Sequence, residues 1–436
     1  MKILDWKAAT PDARRAALSR PAAQSREDVF RQAADIVAAV RAEGDVAVRR
    51  FTRQFDGPDL SGLRVSTEEF REARAALDAT QIAAIERAVA NVTAFHQAQV
   101  SAPLTVDTMS GVRCERITRP IDSVGLYVPA GSAPLPSTAI MLAVPARIAG
   151  CPARAIASPP RPDGKVHAAV LVAAEICGVD RVYKMGGAQA IAALAFGTDS
   201  ITKVDKIFGP GSAWVTAAKQ VVAADPHGAA IDLPAGPSEV LVIADESADA
   251  RFVAADLLAQ AEHDAIAQVV LVTPSASFAE AVSAELAAQT PKLSRRDIVT
   301  QAMRNSRCLV VESLDEAVRV SNEYAPEHLI IQTREPRALL EKVTCAGSVF
   351  LGPWSPESIG DYCSGTNHVL PTYGYARSYS GVSLLEFQKR ITVQELTADG
   401  LRALGPTAIT LSRLEGLDAH GNAVQVRLDK LGSPRP

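Results

Sequence analysis

From about residue 121 the chain alternates short β-rich runs with alanine-rich runs of helical spacing, separated by Gly and Pro. This alternation is typical of βαβ units, in which crossover helices join parallel strands. The strand candidates are Val124–Val128, Val182–Met185, Lys206–Phe208, Val240–Ile243, Val269–Val272, Cys308–Val311, Leu329–Ile331 and Ser348–Leu351. The helical candidates are Ser137–Ile148, Ala168–Cys177, Ala188–Phe196, Trp214–Ala223 and Ala248–Glu262. The pattern predicts an α/β protein with parallel sheets.

Both ends of the chain are predicted to be helical. Ser25 and Asp28 resemble a capping box ahead of apolar residues at helical spacing. Further helices are predicted over Thr67–Leu77, Thr80–Ala98 and the final segment Leu384–Leu431. Because 436 residues exceed the roughly 250–300 over which one core usually stays whole, we expect at least two domains.

The charge balance argues against nucleic acid or an anionic membrane as a partner. Lys and Arg number 45 and Asp and Glu 49, which leaves a net charge of −4. The charged start, Met1–Pro21, does not resemble a signal peptide, and no later stretch approaches the roughly 18 apolar residues of a membrane span. The six cysteines include no C-x-x-C pair, which favours free thiols in a reducing cytoplasm.

Four of the seven histidines lie in the C-terminal half beside acidic or amide residues. These are His263, His328, His368 and His420. Such clustering is typical of a metal site with an adjoining acid/base group, although any one histidine is more often a surface residue. The other three, His96, His167 and His227, have no comparable neighbours and are assigned no catalytic role.

Two sets of residues suggest metal ligands and acid/base groups. Gln260 and His263 are three apart in a predicted helix, so both can reach one ion, and Asp361 offers an anionic oxygen. By ligand chemistry alone, the charged Glu262 is a better candidate than Gln260. Glu327 and His328 would face opposite sides of a strand and fit separate roles in water activation and proton transfer. A turn with a merely solvated Glu327 is equally compatible.

No dinucleotide fingerprint is present. The segment Phe208–Ser212 comes closest to G-x-G-x-x-G, but the third glycine is absent. Gly186 and Gly187 fit a tight turn between a strand and a helix equally well. Composition and spacing therefore do not establish NAD binding.

Taken together and in order, nine segments resemble the histidinol dehydrogenase family. They are Gly125–Gly131, Gly186–Ala190, Lys206–Gly211, Asp232–Val240, Leu257–His263, Pro326–Leu329, Trp354–Asp361, Ser364–Thr372 and Glu415–His420. The resemblance implies a cytoplasmic enzyme that oxidises L-histidinol through L-histidinaldehyde to L-histidine, with zinc bound and two NAD reduced. It also implies two Rossmann-like α/β domains and an intertwined homodimer in which the C-terminal arm completes the partner's site.

The resemblance extends to domain boundaries and site residues. The expected division is an N-terminal arm over 1–24, a first α/β domain over 25–126 and 237–380, a second over 127–236 and a C-terminal helical arm over 381–436. The implied zinc ligands are Gln260, His263, Asp361 and His420, in place of Glu262. Glu327 and His328 would be the acid/base pair. The substrate would contact the zinc ligands, His328, His368, Ser238 and Glu415, and NAD would contact Tyr127, Gln189 and Ser212.

Three positions depart from the family pattern. Ser212 replaces the usual Asn, so a side-chain amide contact to NAD is lost or shortened. The segment Asp264–Ala267 replaces a Gly-Pro turn, so the preceding helix is expected to run on. Glu386 replaces an Asp, with little expected effect.

Three alternatives stay open from the sequence. A dehydrogenase of the same fold for another polyol, such as a sulfonated propanediol, would need few changes, although Glu415 and His420 favour an imidazole-bearing amino alcohol. The metal ligands alone would also permit a zinc hydrolase with Glu327 as base. The intact ligand and acid/base set argues against a third alternative, an inactive homologue.

Overall fold

The computed structural model describes residues 1–21, 26–130, 133–233 and 236–432. The strands are Lys2–Asp5 (β1), Leu104–Met109 (β2), Val112–Pro120 (β3), Ser123–Tyr127 (β4), Ala153–Ser158 (β5), Arg181–Lys184 (β6), Lys206–Phe208 (β7), Ala230–Ile231 (β8), Glu239–Ala244 (β9), Gln268–Thr273 (β10), Arg307–Val310 (β11), His328–Gln332 (β12), Ser348–Leu351 (β13) and Gln388–Leu396 (β14). The helices are Pro11–Leu18 (α1), Arg26–Glu43 (α2), Asp45–Phe55 (α3), Thr67–Ala75 (α4), Ala79–Gln97 (α5), Pro136–Ala149 (α6), Ala168–Ile176 (α7), Gly187–Phe196 (α8), Ala213–Ala224 (α9), Ala250–Ala261 (α10), Ala276–Gln289 (α11), Arg296–Asn305 (α12), Leu314–Tyr324 (α13), Pro336–Leu340 (α14), Glu357–Tyr362 (α15), Ala398–Leu414 (α16) and Asp418–Gly432 (α17).

The contacts within the chain define two compact units. The first contains residues 1–99 and 121–387, and the second contains residues 100–120 together with those from 388 onward. The first unit holds both parallel sheets. The predicted α/β class is therefore confirmed, and each predicted strand lies within one residue of an observed strand.

The six-stranded sheet has the order β1-β11-β10-β9-β12-β13, and all its neighbouring strands are parallel. Strands β9 and β12 are buried along their whole length, as expected for parallel strands covered on both faces. The two strands are direct neighbours, with His328 opposite Val240. Residues that begin β9 and β12 therefore meet at the amino edge of this sheet.

The five-stranded sheet has the order β6-β5-β4-β7-β8 and is also parallel. The chain passes from β4 to β5 on one side and returns to β7 on the other, so β4 and β7 flank the point where the strand order reverses. In doubly wound sheets, ligands bind beside the carboxyl ends of the strands at such a point. A ligand site is therefore expected at this edge.

The helices α2, α3, α4 and α5 pack with the helices that cover the five-stranded sheet. Apolar residues of α2 and α3 share one core with α8 and α9, while α4 packs on α7 and α5 packs on α6. This packing differs from the predicted grouping of residues 25–126 with 237–380. Strand β1, predicted as part of an arm, instead pairs with β11. The order of helices along the chain does not indicate which sheet they cover. Ser25 of the predicted capping box lies outside the described residues.

The prediction of a continuous helical segment over Leu384–Leu431 is wrong. Residues 388–396 form β14, which pairs antiparallel with β3, and β3 pairs with β2 on its other side. Strand partners more than 260 residues apart in the sequence supply the backbone hydrogen bonds, which no local pattern predicts. In the same unit, α16 and α17 pack against each other. Among the described residues, no helix is both long enough and apolar enough to span a membrane.

Candidate active site

A cavity of about 980 Å³ brings together residues from both sheets of the first unit. Ser238, Glu327 and His328 line it from the amino edge of the six-stranded sheet, and Pro129 and the segment 210–214 line it from the carboxyl edge of the five-stranded sheet. Eight of the predicted site residues line this one cavity: Ser212, Ser238, Gln260, His263, Glu327, His328, Asp361 and His368.

Glu327 and His328 are both buried at the start of β12. The backbone N–H of Glu239 donates to Glu327 Oε2 over 2.9 Å, and the carbonyl oxygen of Glu239 lies 3.2 Å from His328 Nδ1. The Glu327 Oε2 atom is 3.6 Å from the same Nδ1 atom. The expectation of side chains on opposite faces is wrong because Glu327 precedes the strand. The alternative of a solvated Glu327 is also contradicted, since that residue is 6% exposed.

The hydrogen bonds of His328 define its tautomer. A backbone carbonyl can only accept, so Nδ1 carries the proton in the bond to Glu239. Nε2 is buried and makes no hydrogen bond to the described residues, although Asp361 Oδ1 lies 3.4 Å away. In the neutral form of the ring the unprotonated nitrogen is therefore Nε2, and His328 lines the cavity.

Burial and neighbouring charges shift the pKa of both residues. Burial raises the pKa of Glu327 to about 8, opposed by the nearby His328. Burial alone would lower the pKa of His328, but the carboxylates of Glu357, Glu327 and Asp361 outweigh it and hold that pKa well above its ordinary value. Two adjacent groups whose pKa values are shifted in this way are characteristic of acid/base sites.

Beside this pair lies a cluster of His263, Glu357 and Asp361. Each offers one ligand atom, and the three atoms lie within 4.8 Å of one another. Glu357 and Asp361 are four residues apart on α15, which places both carboxylates on one helix face. Asp361 Oδ1 is buried without a hydrogen-bond donor among the described residues. Two carboxylates, an imidazole and an unsatisfied buried oxygen fit a divalent cation.

Glu357 was not predicted from the sequence. It is 2% exposed, and burial raises its pKa to about 8. The four-residue spacing to Asp361 inside the segment Trp354–Asp361 is the signal that would have identified it. Although burial would raise the pKa of Asp361, the neighbouring His328 holds it below its ordinary value.

Gln260 lies in the last turn of α10 and is 1% exposed. With its nitrogen turned toward Glu357, its amide donates to both oxygens of that carboxylate. Glu262, preferred on ligand chemistry alone, lines the cavity but is not part of the cluster of His263, Glu357 and Asp361. Gln260 therefore lies against the cluster of His263, Glu357 and Asp361.

The helix that carries Gln260 stops short, and the prediction that it runs on through Asp264–Ala267 is wrong. It ends at Ala261, and Asp264 Oδ1 accepts the N–H of Ile266 over 3.0 Å in the turn that follows. His263 consequently lies in this turn, where it is exposed at the cavity mouth, rather than on the helix with Gln260.

Ser238 and His368 complete this end of the cavity. Ser238 is half-buried immediately before β9. His368 is half-buried, and its Nε2 atom has no hydrogen-bond partner among the described residues. Burial lowers the pKa of His368, opposed by the carboxylate of Asp361, so the ring is neutral near pH 7 and can accept a hydrogen bond from a ligand.

The other end of the cavity lies at the N-terminus of α9. Ser212 is the N-cap residue of this helix, yet its side chain makes no capping hydrogen bond. In the preceding loop, Gly209 has a φ of +121°, and a Cβ atom there would lie 2.2 Å from the carbonyl oxygen of Tyr127. Uncapped N–H groups at a helix N-terminus attract phosphate, so this end suits a dinucleotide.

Tyr127 and Gln189 lie behind this part of the cavity wall, and neither lines the cavity. The Tyr127 hydroxyl accepts the N–H of Gly187 over 3.1 Å. Gln189 is buried, and neither polar atom of its amide has a hydrogen-bond partner among the described residues. Their roles in NAD binding stay predictions.

Glu415 and His420 belong to the second unit. Glu415 is the exposed C-cap residue of α16, and Gly416 follows with a left-handed φ of 70°. His420 is exposed in the first turn of α17. The cluster of the first unit is thus assembled without them. Of the histidines given no role, His96 is buried in α5 and His167 caps α7.

Comparisons with known proteins identify the family. The sequence profile for histidinol dehydrogenase matches residues 19–428. The histidinol dehydrogenase of Vibrio cholerae is 53% identical over 99% of both chains. That of Xanthomonas oryzae pv. oryzae is 56% identical over 98% of this chain and 99% of its own. The crystal structure of histidinol dehydrogenase from Elizabethkingia anophelis is 43% identical, covers 99% of both chains and superposes with a TM-score of 0.94. The chain therefore belongs to the histidinol dehydrogenase family, whose members are NAD-dependent oxidoreductases of histidine biosynthesis.

Proposed function

We propose that this cavity binds L-histidinol, zinc and NAD, and that the protein oxidises L-histidinol through L-histidinaldehyde to L-histidine. One observation carries the proposal: His328, whose Nε2 makes no hydrogen bond to the described residues, lines the same cavity as the carboxylate and imidazole cluster around Asp361. A base and a cation site in one cavity of about 980 Å³ suit a small alcohol with an imidazole and an amine.

Gln260, His263 and Asp361 are the proposed zinc ligands from the first unit. The buried, unsatisfied Oδ1 of Asp361 and the short separations within the cluster favour a cation there. Zinc in proteins takes nitrogen and oxygen ligands of these kinds. When bound, the ion supplies a positive centre that orients the imidazole and amine of the substrate, and NAD supplies the hydride acceptor.

His328 and Glu327 accept and return the protons of the reaction. His328 Nε2 accepts the hydroxyl proton as the carbinol carbon loses hydride, which yields the aldehyde. Water then adds to the aldehyde: Glu327 takes one proton of the water while His328 returns its proton to the aldehyde oxygen, which gives the hydrate. His328, neutral again, accepts a proton from the hydrate as the second hydride leaves, which yields the carboxylic acid. The acid then loses its remaining proton to the solvent and becomes the carboxylate. Two NAD are consumed because the oxidation of a primary alcohol to a carboxylate removes four electrons.

The nucleotide is proposed to lie over the N-terminus of α9, at the reversal point of the five-stranded sheet. Ser212 would contact it directly, since Ser212 lines the cavity and has no capping bond. Tyr127 and Gln189 support the adjoining turn from behind, and the unsatisfied amide of Gln189 is available to a bound ligand after a local shift.

A second copy of the chain is proposed to supply Glu415 and His420. Four large apolar residues of α16, α17 and their connection are at least 41% exposed: Leu411, Leu414, Leu417 and Val426. Apolar side chains grouped on one helical pair mark a protein interface. We therefore expect a homodimer with shared sites, in which His420 is the fourth zinc ligand and Glu415 binds substrate. The six free cysteines favour a cytoplasmic location.

The test is NADH absorbance on addition of L-histidinol to the purified protein. Turnover should yield two NADH per histidine, stop with a chelator and return with zinc. A sulfonated propanediol in place of histidinol should give no signal. Absent turnover with histidinol in zinc-loaded protein, or equal turnover with the propanediol, would refute the proposed substrate.

A further inference from the structure

Arg20 lies in the N-terminal segment and makes a buried ion pair with Glu239. Its Nε and Nη2 atoms donate to the two carboxylate oxygens over 2.6 and 2.8 Å. The side chains of Arg20 and Glu239 are 14% and 2% exposed. A bidentate pair held out of water has a defined orientation, unlike a surface ion pair.

The backbone of Glu239 contacts both members of the acid/base pair. Its N–H donates to Glu327 Oε2, and its carbonyl oxygen accepts from His328 Nδ1. The orientation of this one peptide segment therefore sets the direction of the Glu327 carboxylate and the tautomer of His328. The carboxylate held by Arg20 belongs to the same residue.

Arg20 also holds the turn that leads into Glu327. Its Nη2 atom donates to the carbonyl oxygen of Tyr324 over 2.8 Å and lies 3.4 Å from that of Ala325. Ala325 is fully buried and has a left-handed φ of 53°, a strained conformation for a residue with a side chain. Its strain requires support from surrounding contacts, and Arg20 provides two, one to each of the peptide groups that flank the Ala325 Cα atom.

Tyr324 contacts both Arg20 and Glu239. Its ring packs against the Arg20 guanidinium with a separation of 4.1 Å, and its hydroxyl lies 3.2 Å from Glu239 Oε2 and 2.8 Å from Gln268 Oε1. The Arg20 guanidinium therefore holds the segments that begin two strands. It contacts the start of β9 through Glu239 and the turn before β12 through Ala325.

We propose that Arg20 is a positioning residue for the acid/base pair: by holding Glu239 and the turn at Ala325, it sets the orientation of the Glu327 carboxylate and the His328 imidazole. The proposal rests on the proposed function, because it takes His328 Nε2 as the base. Arg20 does not line the cavity, and it acts through the peptide segments that it holds.

The experiment compares Arg20→Met with Arg20→Lys and with a control, Lys184→Met. Lys184 forms a comparably buried pair with Glu69, with side chains 12% and 16% exposed, and does not line the cavity. Arg20→Met should lower kcat roughly 10–100-fold, as small misplacements of reacting groups do, while zinc content and KM for histidinol stay near wild type. Arg20→Lys should recover part of the loss, and Lys184→Met should leave kcat unchanged.

A second readout needs neither substrate nor cofactor. Nitrogen-15 NMR of histidine-labelled protein, recorded at a pH above the pKa of His328, should show the neutral ring protonated at Nδ1 in the wild type, with the signal assigned by its loss in His328→Asn. In Arg20→Met the ring should become a mixture of tautomers. An unchanged tautomer, or an equal loss of kcat in Arg20→Met and Lys184→Met, would overturn the proposal. Failure of the wild type to oxidise histidinol would instead count against the proposed function.

Glu239→Gln serves where Arg20→Met yields no folded protein. It preserves the shape of the side chain and one oxygen acceptor while removing the charge that Arg20 pairs with. It is expected to lower kcat and broaden the tautomer distribution of His328. A Glu239→Gln protein with wild-type kcat and tautomer would overturn the positioning role.

Discussion

Asp256 is a buried carboxylate on α10, the helix that also carries Gln260. It is 6% exposed, and it accepts from Gln332 Nε2 over 2.6 Å. Burial raises its pKa from 3.8 to about 7, opposed only by this hydrogen bond. We predict that Asp256→Asn stabilises the protein at alkaline pH.

The magnitude follows from linkage. Between pH 4 and pH 7 the unfolded chain loses the Asp256 proton while the folded protein keeps it, so this group's contribution to stability falls as the pH rises through that window. The gap between 3.8 and about 7 corresponds to up to about 4 kcal/mol, at roughly 1.4 kcal/mol per pH unit. Asparagine cannot ionise and keeps an oxygen to accept from Gln332.

The assay is urea unfolding followed by circular dichroism at pH 4.5 and pH 8. The free energy of unfolding of Asp256→Asn should exceed that of the wild type by only about 1 kcal/mol at the lower pH and by about 4 kcal/mol at the higher pH. Asp315→Asn is the control, because Asp315 is an exposed partner of Lys342 and should show little pH-dependent difference. Parallel pH profiles for Asp256→Asn and the wild type would refute the reasoning.

Four further predictions concern the site itself. His328→Asn should retain zinc but slow turnover by roughly 10²–10⁴, the range for a lost acid/base group, whereas the exposed control His227→Asn should be active. His263→Asn should lose zinc in plasma-emission analysis of the purified protein, because an imidazole ligand is removed. Ser212→Asn should lower KM for NAD by restoring an amide contact, since asparagine caps a helix as well as serine does. Mixed dimers of His328→Asn and His420→Asn should regain activity, because one composite site per dimer is then intact.

Each of these outcomes has a contrary result. Wild-type turnover in His328→Asn would remove that residue from the mechanism, and full zinc occupancy in His263→Asn would remove it from the metal site. An unchanged KM for NAD in Ser212→Asn would show that the side chain at position 212 does not contact the cofactor. Mixed dimers that stay inactive would contradict a site shared between subunits.

Much of the site was accessible from local sequence. Runs such as Val240–Ile243 and Leu329–Ile331 are β-branched, short and bounded by turn residues, so their strands could be recognised without tertiary information. Histidines with acidic or amide neighbours indicated a metal and acid/base site, and eight of the predicted site residues line one cavity. In contrast, the local sequence of β14 does not predict a strand, because its pairing with β3 depends on a distant segment.

The amino-acid sequence alone determined the α/β class, the residue types capable of the chemistry and, by resemblance, their roles. Tertiary structure alone decided which groups share an environment. Glu357 joins the cluster of His263 and Asp361, and Glu239 clamps both Glu327 and His328 through its backbone. The physical reason is that side-chain chemistry is a local property, whereas burial, charge coupling and hydrogen-bond partners depend on strands and helices that the fold brings together from distant parts of the chain.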